Sequence, residues 1–308
     1  MEHMITIEAG SYTARINLSR GANCISFRNR ACGAVILREP KENAEWDNPY
    51  LYGMPILYPV NRIAGGRFEF EGRTYAFPIN EPDTDCHLHG ELHRTEFAVA
   101  EQRKDYIRCS LRTEGSYPGF PHAYEITIAY SLSQEGLMQE TEITNLSGEN
   151  MPNFLGFHTT FCVPFLEGSR AEDVRVLAQV GQEIERDMRV YLPTGRMLPE
   201  DEITKKLRDG SFQPLEKRIS RHYKAEQRGI MELRDLKRNI SVVYENDRKF
   251  PWRLIYNGNA EEYICLEPMT CIANCQNGPF DRAYAGFDFI KPGVSKKYVS
   301  RIFLKMND

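Results

Sequence analysis

The chain has 308 residues, of which 41% are hydrophobic and 27% charged, and its formal net charge is −4 at pH 7. The ordinary apolar content excludes a disordered chain and is sufficient for a large core. The mild acidity disfavours nucleic acid or an anionic membrane surface as a partner, and no apolar run approaches the roughly 20 residues of a membrane-spanning helix.

Alternation of apolar and polar residues, the period of a half-buried strand, is the dominant pattern along the chain. Turn-forming pairs such as Glu71-Gly72 and Asn257-Gly258 separate the alternating segments. The first of these pairs lies inside a pattern typical of a hairpin. The alternating segments lie at residues 12–18, 68–77, 107–111, 124–132 and 302–304.

Helical periodicity is scarce, and the best candidate is a short segment at residues 200–207. The polar stretch 181–227 is interpreted as a surface excursion, and His222 within it is expected to be solvated. Many short strands with few helices indicate an all-β fold, a β-sandwich or a barrel. No low-complexity linker divides the chain, so we expect a single domain over residues 1–308, which would make a large sandwich.

The eight cysteines form no Cys-x-x-Cys pair, and the chain is much longer than a disulfide scaffold. The first residues do not show the basic region and apolar stretch of a secretory signal. Both observations predict reduced thiols and a cytoplasmic protein.

His87 and His89 are two apart, which places both imidazoles on one face of a strand, a spacing that metal sites use. His93 or Cys86 could supply a third ligand, but Gly90 interrupts the strand pattern. A packing histidine beside a pocket histidine is therefore favoured over a metal site.

Three further residues combine a polar side chain with apolar neighbours. His158 lies in an aromatic segment, Glu267 ends an apolar run and precedes a proline, and Arg62 precedes a glycine pair. A buried carboxylate is costly unless it is paired or used. His158 and Glu267 each also have a structural interpretation: a core histidine and a strand-end glutamate that reaches solvent.

Five motifs stand in order along the chain, and together they resemble the signature of the aldose 1-epimerases, also called galactose mutarotases. They cover roughly residues 20–300, so the resemblance extends over nearly the whole sequence. The motifs are Asn61-Arg62-Ile-Ala-Gly-Gly-Arg-Phe, Leu88-His89-Gly90, Tyr117-Pro-Gly-Phe-Pro, Gly156-Phe-His158-Thr-Thr-Phe and Ile264-Cys-Leu-Glu267-Pro.

The resemblance implies a large antiparallel β-sandwich of the galactose mutarotase type with an open sugar groove. It also implies that Glu267 is the general base and His158 the general acid, while His89, Arg62 and Asn61 bind the substrate. The partner is then a small sugar, with no metal or cofactor, and the chain acts as a monomer or homodimer. A free glutamate and a free histidine have pKa values near 4.3 and 6.5. We therefore expect that only modest shifts of these pKa values are needed for the two groups to exchange a proton near neutral pH.

One departure concerns the sugar. Galactose-type members carry an aspartate, typically followed by histidine, before the last strands, whereas the nearest stretch here places Ser220 and Arg221 there. An arginine at this place could meet an anionic sugar, as in the hexose-6-phosphate epimerases, although a solvated Arg221 is favoured. The alternatives to a hexose 1-epimerase are thus a hexose-6-phosphate 1-epimerase and a non-catalytic carbohydrate-binding protein.

Overall fold

The computed structural model of the chain describes residues 3–41, 46, 48–226, 229–258, 260 and 262–307. The elements of these residues are short strands, turns of 3-10 helix and one α-helix, α1 (Glu202–Asp209). The 3-10 turns span Leu18–Arg20, Pro49–Leu51, Pro82–Thr84, Leu92–Arg94 and Ala171–Asp173. The strands are β1 (Met4–Ala9), β2 (Tyr12–Asn17), β3 (Asn23–Asn29), β4 (Ala34–Val35), β5 (Ile56–Leu57), β6 (Arg62–Ala64), β7 (Arg67–Phe70), β8 (Arg73–Ala76), β9 (Cys86–Leu88), β10 (Ala98–Arg103), β11 (Tyr106–Glu114), β12 (Ala123–Ser133), β13 (Gly136–Asn145), β14 (Met151–Pro152), β15 (Gly156–Phe157), β16 (Thr160–Cys162), β17 (Val174–Ala178), β18 (Val180–Asp187), β19 (Leu192–Met197), β20 (Ser220–Ala225), β21 (Met231–Asp235), β22 (Ile240–Asn246), β23 (Trp252–Tyr256), β24 (Tyr263–Met269), β25 (Phe289–Ile290) and β26 (Ser295–Met306).

Two eight-stranded antiparallel sheets form the body of the fold. The first has the strand order β10-β11-β12-β13-β26-β22-β21-β17. The second has the order β19-β18-β20-β23-β24-β15-β5, and β16 also pairs with β24. A four-stranded sheet, β1-β2-β3-β4, and the small hairpin of β7 and β8 accompany them. The all-β fold and the hairpin predicted around Glu71-Gly72 are thereby confirmed.

The two large sheets pack through apolar and aromatic side chains, which makes the fold a sandwich. The alternation along β12 buries Ile126, Ile128 and Tyr130 completely. Phe161 on β16 and Tyr244 on β22 bring the two sheets together, with ring centroids 5.6 Å apart. Truncating a buried aromatic ring of this kind to alanine typically costs about 3–5 kcal/mol of stability. The predicted β-sandwich is confirmed, and the barrel alternative is not the observed fold.

The predicted helix exists and begins two residues later than expected. Asp201 caps its N-terminus by accepting a hydrogen bond from the Thr204 amide at 2.9 Å. Gly210 ends it with a φ of +77°, a conformation that glycine adopts without strain. Within the described part of the chain, no helix is both long and apolar enough to cross a membrane.

The interpretation of residues 181–227 as a surface excursion was wrong, although Gln227 itself lies outside the described residues. Strands β18 and β20 of this stretch are inner strands of the second sheet. His222 on β20 is consequently 0% exposed rather than solvated, and it packs against the ring of Trp252 with centroids 6.0 Å apart. The stretch is polar because many of its side chains are exposed, and because Arg186, Arg218 and Ser220 line a groove on that sheet.

Candidate active site

A groove of about 490 Å³ lies on the face of the second sheet that points away from the core. Strand β24 shows how the sequence creates these two faces. Leu266 belongs to the hydrophobic core, whereas its neighbour Glu267 points into the groove. The alternation that makes β24 a strand therefore also delivers a carboxyl group to the opposite face.

Glu267 and His158 meet at the floor of this groove. The Nε2 atom of His158 lies 3.3 Å from Oε1 of Glu267, and the residues are 7% and 1% exposed. The His158 ring is held by the loop between β15 and β16, where its backbone N–H donates to the Pro55 carbonyl at 3.1 Å. Oε1 of Glu267 and Nδ1 of His158 are buried and make no hydrogen bond to any described residue. Burying a polar atom without a hydrogen-bond partner costs free energy, and a polar ligand bound in the groove would supply the partners of these two atoms.

Burial shifts the pKa values of both groups much further than the sequence led us to expect. Desolvation raises the pKa of Glu267 well above its ordinary value, against the opposing charges of Arg186 and Arg62. Desolvation lowers the pKa of His158 to about 4. The expectation of modest tuning was therefore wrong. Both shifts favour the uncharged form of the pair, in which Glu267 holds the single proton that the two groups share and His158 is neutral.

His89 lines the groove beside this pair, with its ring centroid 6.0 Å from that of His158. Its Nδ1 accepts a hydrogen bond from the backbone N–H of Asn61 at 3.3 Å. Burial lowers the pKa of His89 well below its usual value, so the ring is neutral. A neutral ring that accepts at Nδ1 carries its proton on Nε2, and His89 is therefore built to donate a hydrogen bond. The Asn61 side chain, in turn, donates to Sδ of Met269 on β24 at 2.9 Å.

Arg62 also lines the groove, and its charge is already paired. Its Nε and Nη2 each donate to one carboxylate oxygen of Glu81 at 2.6 Å. The guanidinium stacks on the ring of Tyr191, 4.5 Å from the centroid. Two-point pairing and stacking fix the orientation of the guanidinium, a geometry that lysine could not reproduce.

The histidine cluster considered for a metal does not converge on one point. His87 places Nδ1 2.8 Å from the Pro78 carbonyl and Nε2 3.3 Å from the Tyr117 hydroxyl. The Nε2 atom of His93 accepts from Arg94 at 3.0 Å. These ring nitrogens are occupied by separate partners, so the spacing of the motif reflects packing.

A different set of potential metal donors does come together at the groove floor. In the described ranges, His158, Cys265 and Glu267 have donor atoms that all lie within 4.8 Å of one another. Burial raises the pKa of Cys265 well above its usual value, as it does for Glu267, which favours the protonated form of both groups. A metal ion bound there would have to displace a proton from each of them.

The serine and arginine that follow Ile219 point to opposite sides of β20. Ser220 lines the groove, whereas Arg221 forms ion pairs with Asp201 at 2.6 Å and Glu183 at 2.8 Å. The expectation that Arg221 is solvated was wrong, and its contacts with these acids also direct it away from a sugar. Adjacent residues of a strand face opposite ways, so only one of the two could reach the groove.

Several residues that line the groove were not predicted from the sequence. Tyr50 packs against His89 and His158, with centroids 4.9 Å and 6.0 Å away, and Tyr256 packs on the other side of His158 at 6.1 Å. Arg186 lines the groove from β18 and is 8% exposed. A signal existed for Arg186, because it follows Ile184 by two residues and thus shares its buried face. Tyr256 follows the buried Leu254 by two residues on β23 and carried the same signal, whereas Tyr50 lies in a 3-10 turn without such a pattern.

Comparison with known proteins adds to this geometry. A family model described as aldose 1-epimerase matches residues 3–299. The solved structure of a galactose mutarotase-like protein from Clostridium acetobutylicum is similar, with a TM-score of 0.94, 30% identity and coverage of 99% of this chain and 96% of that one.

Two curated relatives match over shorter segments. An Escherichia coli protein described as uncharacterized, YihR, is 28% identical over 156 residues, or 50% of this chain and 48% of that protein. A maltose epimerase from Levilactobacillus brevis is 28% identical over 176 residues, or 54% of this chain and 49% of that protein. The chain thus spans about half the length of these two relatives.

Proposed function

Because this chain belongs to the aldose 1-epimerase family, an isomerase class of enzyme, we propose that it interconverts the α and β anomers of a sugar at the groove that contains Glu267 and His158. The observation that carries the proposal is the contact of these two buried groups, 3.3 Å apart, in a groove lined by His89 and Arg62. The pair combines a carboxyl group and an imidazole, the two groups that acid–base ring opening requires.

The reaction is a paired proton transfer. Glu267 takes the proton of the anomeric hydroxyl while His158 gives a proton to the ring oxygen, so the C1–O5 bond breaks and C1 becomes an aldehyde. Rotation about C1–C2 and the reverse transfers then close the ring to the other anomer. The starting form, with Glu267 ionised and His158 protonated, contains the same single proton as the neutral pair favoured by burial. Conversion of one form into the other therefore needs no net uptake or release of a proton.

His89 and Arg62 are assigned to the sugar oxygens. The Nε2–H of His89 is a donor because Asn61 occupies Nδ1, and it stays a donor over the working pH range since the ring is neutral. Arg62 is held by Glu81, so the guanidinium is presented in one orientation. Such fixed donors cost little reorganisation when charge develops on a sugar oxygen.

A non-catalytic sugar-binding protein on the same fold would share the groove but would not need the pair. Each well-placed proton transfer contributes roughly 10²–10⁴-fold to a rate, so the two proposals differ greatly in outcome. The test is polarimetry on freshly dissolved α-glucose, α-galactose and a hexose 6-phosphate, with and without the protein. Acceleration of at least one of them supports the enzyme, and binding without acceleration of any supports the alternative.

A further inference from the structure

Arg186 is a buried cation in the groove. Arg186 is 8% exposed and lines the groove from β18. Its Nη2 donates to the Ser220 carbonyl and, at 3.2 Å, to the Ser220 hydroxyl. Burial lowers the pKa of Arg186 to about 10, which still leaves the guanidinium charged at neutral pH. A charged group inside a protein is normally paired with an opposite charge, because desolvation is otherwise uncompensated.

The described residues do not supply that opposite charge. No carboxylate among them lies within 4.0 Å of the Arg186 guanidinium. Glu183 is close enough to raise the pKa of Arg186, but it is bonded to Arg221 at 2.8 Å. Glu267 is the other acid in electrostatic range, and its burial favours the protonated form, which carries no charge. Arg186 therefore differs from Arg62, whose charge is fully paired with Glu81.

A second arginine enters the same groove. Arg218 is exposed, lines the groove and donates its Nε to the Gly258 carbonyl at 2.7 Å, an interaction with a neutral group. Its remaining N–H groups have no acidic partner within the described ranges. Among the described residues, neither guanidinium of the groove has an acidic partner, in a protein whose net charge is −4. The amino-acid composition, which is mildly acidic, does not predict this local excess of positive charge.

The sheet order gives the position of these charges relative to the reacting pair. β20, which carries Ser220, is separated from β24, which carries Glu267, only by β23. Neighbouring strands are about 4.8 Å apart, so the two backbones lie about 10 Å apart. His158 lies on the opposite side of β24, next to β15. A sugar whose anomeric carbon faces Glu267 and His158 therefore has Arg186 and Ser220 within reach of its far end.

We propose that Arg186 and Arg218, together with the Ser220 hydroxyl, form an anion subsite, and that the substrate is an aldose with a phosphate or carboxylate group distant from its anomeric carbon. This inference rests on the proposed function, since it names the substrate class of the same groove. Guanidinium groups pair with both anions through two-point hydrogen bonds. The phosphate or carboxylate of a bound substrate would supply the negative charge that the described residues do not give Arg186.

The experiment compares three substrates that share one ring: glucose, glucose 6-phosphate and glucuronate. Anomer exchange is measured for the wild-type protein, Arg218→Gln, Arg186→Gln and the control Arg189→Gln. Arg189 lies on the same hairpin, is paired with Asp187 at 2.7 Å and is not in the groove, so its variant removes an equal charge nearby. We expect at least one charged sugar to have the highest kcat/KM, and this preference over glucose to fall by about 10- to 100-fold in the groove variants, as for a lost charged hydrogen bond. The control should keep the preference.

Two results would overturn the anion subsite. One is equal or better turnover of glucose than of both charged sugars by the wild-type protein. The other is a preference that Arg218→Gln and Arg186→Gln leave unchanged, even if every rate falls, because Arg186 would then act only through Glu267.

If none of the three sugars exchanges anomers, the proposed function fails for them and the subsite is tested by binding alone. Calorimetry with glucose 6-phosphate should then show binding that Arg218→Gln weakens and Arg189→Gln does not. Absence of binding, or binding indifferent to Arg218, would overturn the subsite. Arg218 is exposed, so its variant provides this test even if Arg186→Gln fails to fold.

Discussion

The Nε2 atom of His158 lies 3.3 Å from Oε1 of Glu267, and the two residues are more than one hundred positions apart in the chain. Pairing of β16 with β24 brings them together, with Thr160 opposite Cys265 in the register. The pair is buried to the point that neither group has its ordinary pKa. This relationship determines the pH behaviour, the stability and the chemistry expected of the protein.

Activity should form a broad plateau across neutral pH and fall on both sides. At low pH a second proton enters the pair at His158, whose pKa is lowered to about 4, and ring opening loses its base. At high pH the single proton is lost, and because the pKa of Glu267 is raised, this occurs well above the ordinary range of a carboxyl group. The apparent values belong to the pair and not to one residue. Anomer exchange after subtraction of the spontaneous rate measures the profile, and an acidic limb centred near pH 6.5 would contradict it.

Glu267→Gln should gain stability relative to the wild type as pH rises from the ordinary pKa of a glutamate to the raised native pKa of Glu267. In this window the unfolded chain has Glu267 ionised while the native state keeps it protonated, so wild-type stability falls by up to about 1.4 kcal/mol per pH unit. His158 adds no slope above its unfolded pKa near 6.5, because its lowered native pKa costs stability only below that value. Thermal unfolding measures the difference. Glu114→Gln removes an exposed carboxylate as a control, and an equal pH response of both variants would contradict the assignment.

Much of the fold could be predicted because its signals are local. The alternation in β12 and the turn at Glu71-Gly72 depend on neighbouring residues, and both were confirmed. Strands β18 and β20 were missed because their outward face is a polar groove, and polar periodicity cannot be distinguished from a surface excursion without knowing what covers it. His222 was misplaced for this reason.

The site was predictable only in part. Asn61, Arg62, His89, His158 and Glu267 all line the groove, as the ordered motifs suggested. Their pKa values and partners depend on burial and on long-range pairing, such as that between Arg62 and Glu81, which the sequence does not encode locally. The direction of Arg221 likewise depends on the register of β20, so its ion pair with Asp201 could not be foreseen.

Arg62→Ala should lower kcat/KM by about 10- to 100-fold, the effect of losing a charged hydrogen bond worth roughly 1.5–3 kcal/mol. Arg62→Lys should recover little of this, because an ammonium group cannot reproduce the two-point pairing with Glu81. Arg196→Ala is the matched control, since Arg196 makes the same kind of two-point contact with Glu185 on an exposed hairpin. Steady-state kinetics decide the matter, and wild-type values for Arg62→Ala would place Arg62 outside the working site.

Removal of metal ions should leave activity intact. The only described residues whose donor atoms cluster are His158, Cys265 and Glu267, and burial raises the pKa values of the last two, which favours their protonated forms. We therefore expect full anomer exchange after EDTA treatment and dialysis. Stoichiometric zinc by elemental analysis, with activity that disappears on its removal and returns on its addition, would refute this prediction.

The most direct test of the acid–base pair is anomer exchange by NMR saturation transfer with Glu267→Gln, His158→Asn and the double variant, on the best substrate found. Glu267→Gln keeps the shape and hydrogen-bonding capacity of the side chain while losing its basicity, so the sugar should still bind. Each single variant should lose about 10²-fold or more in rate, and the double variant should be little worse, because the two groups share one concerted transfer. Unchanged exchange in Glu267→Gln would contradict the mechanism.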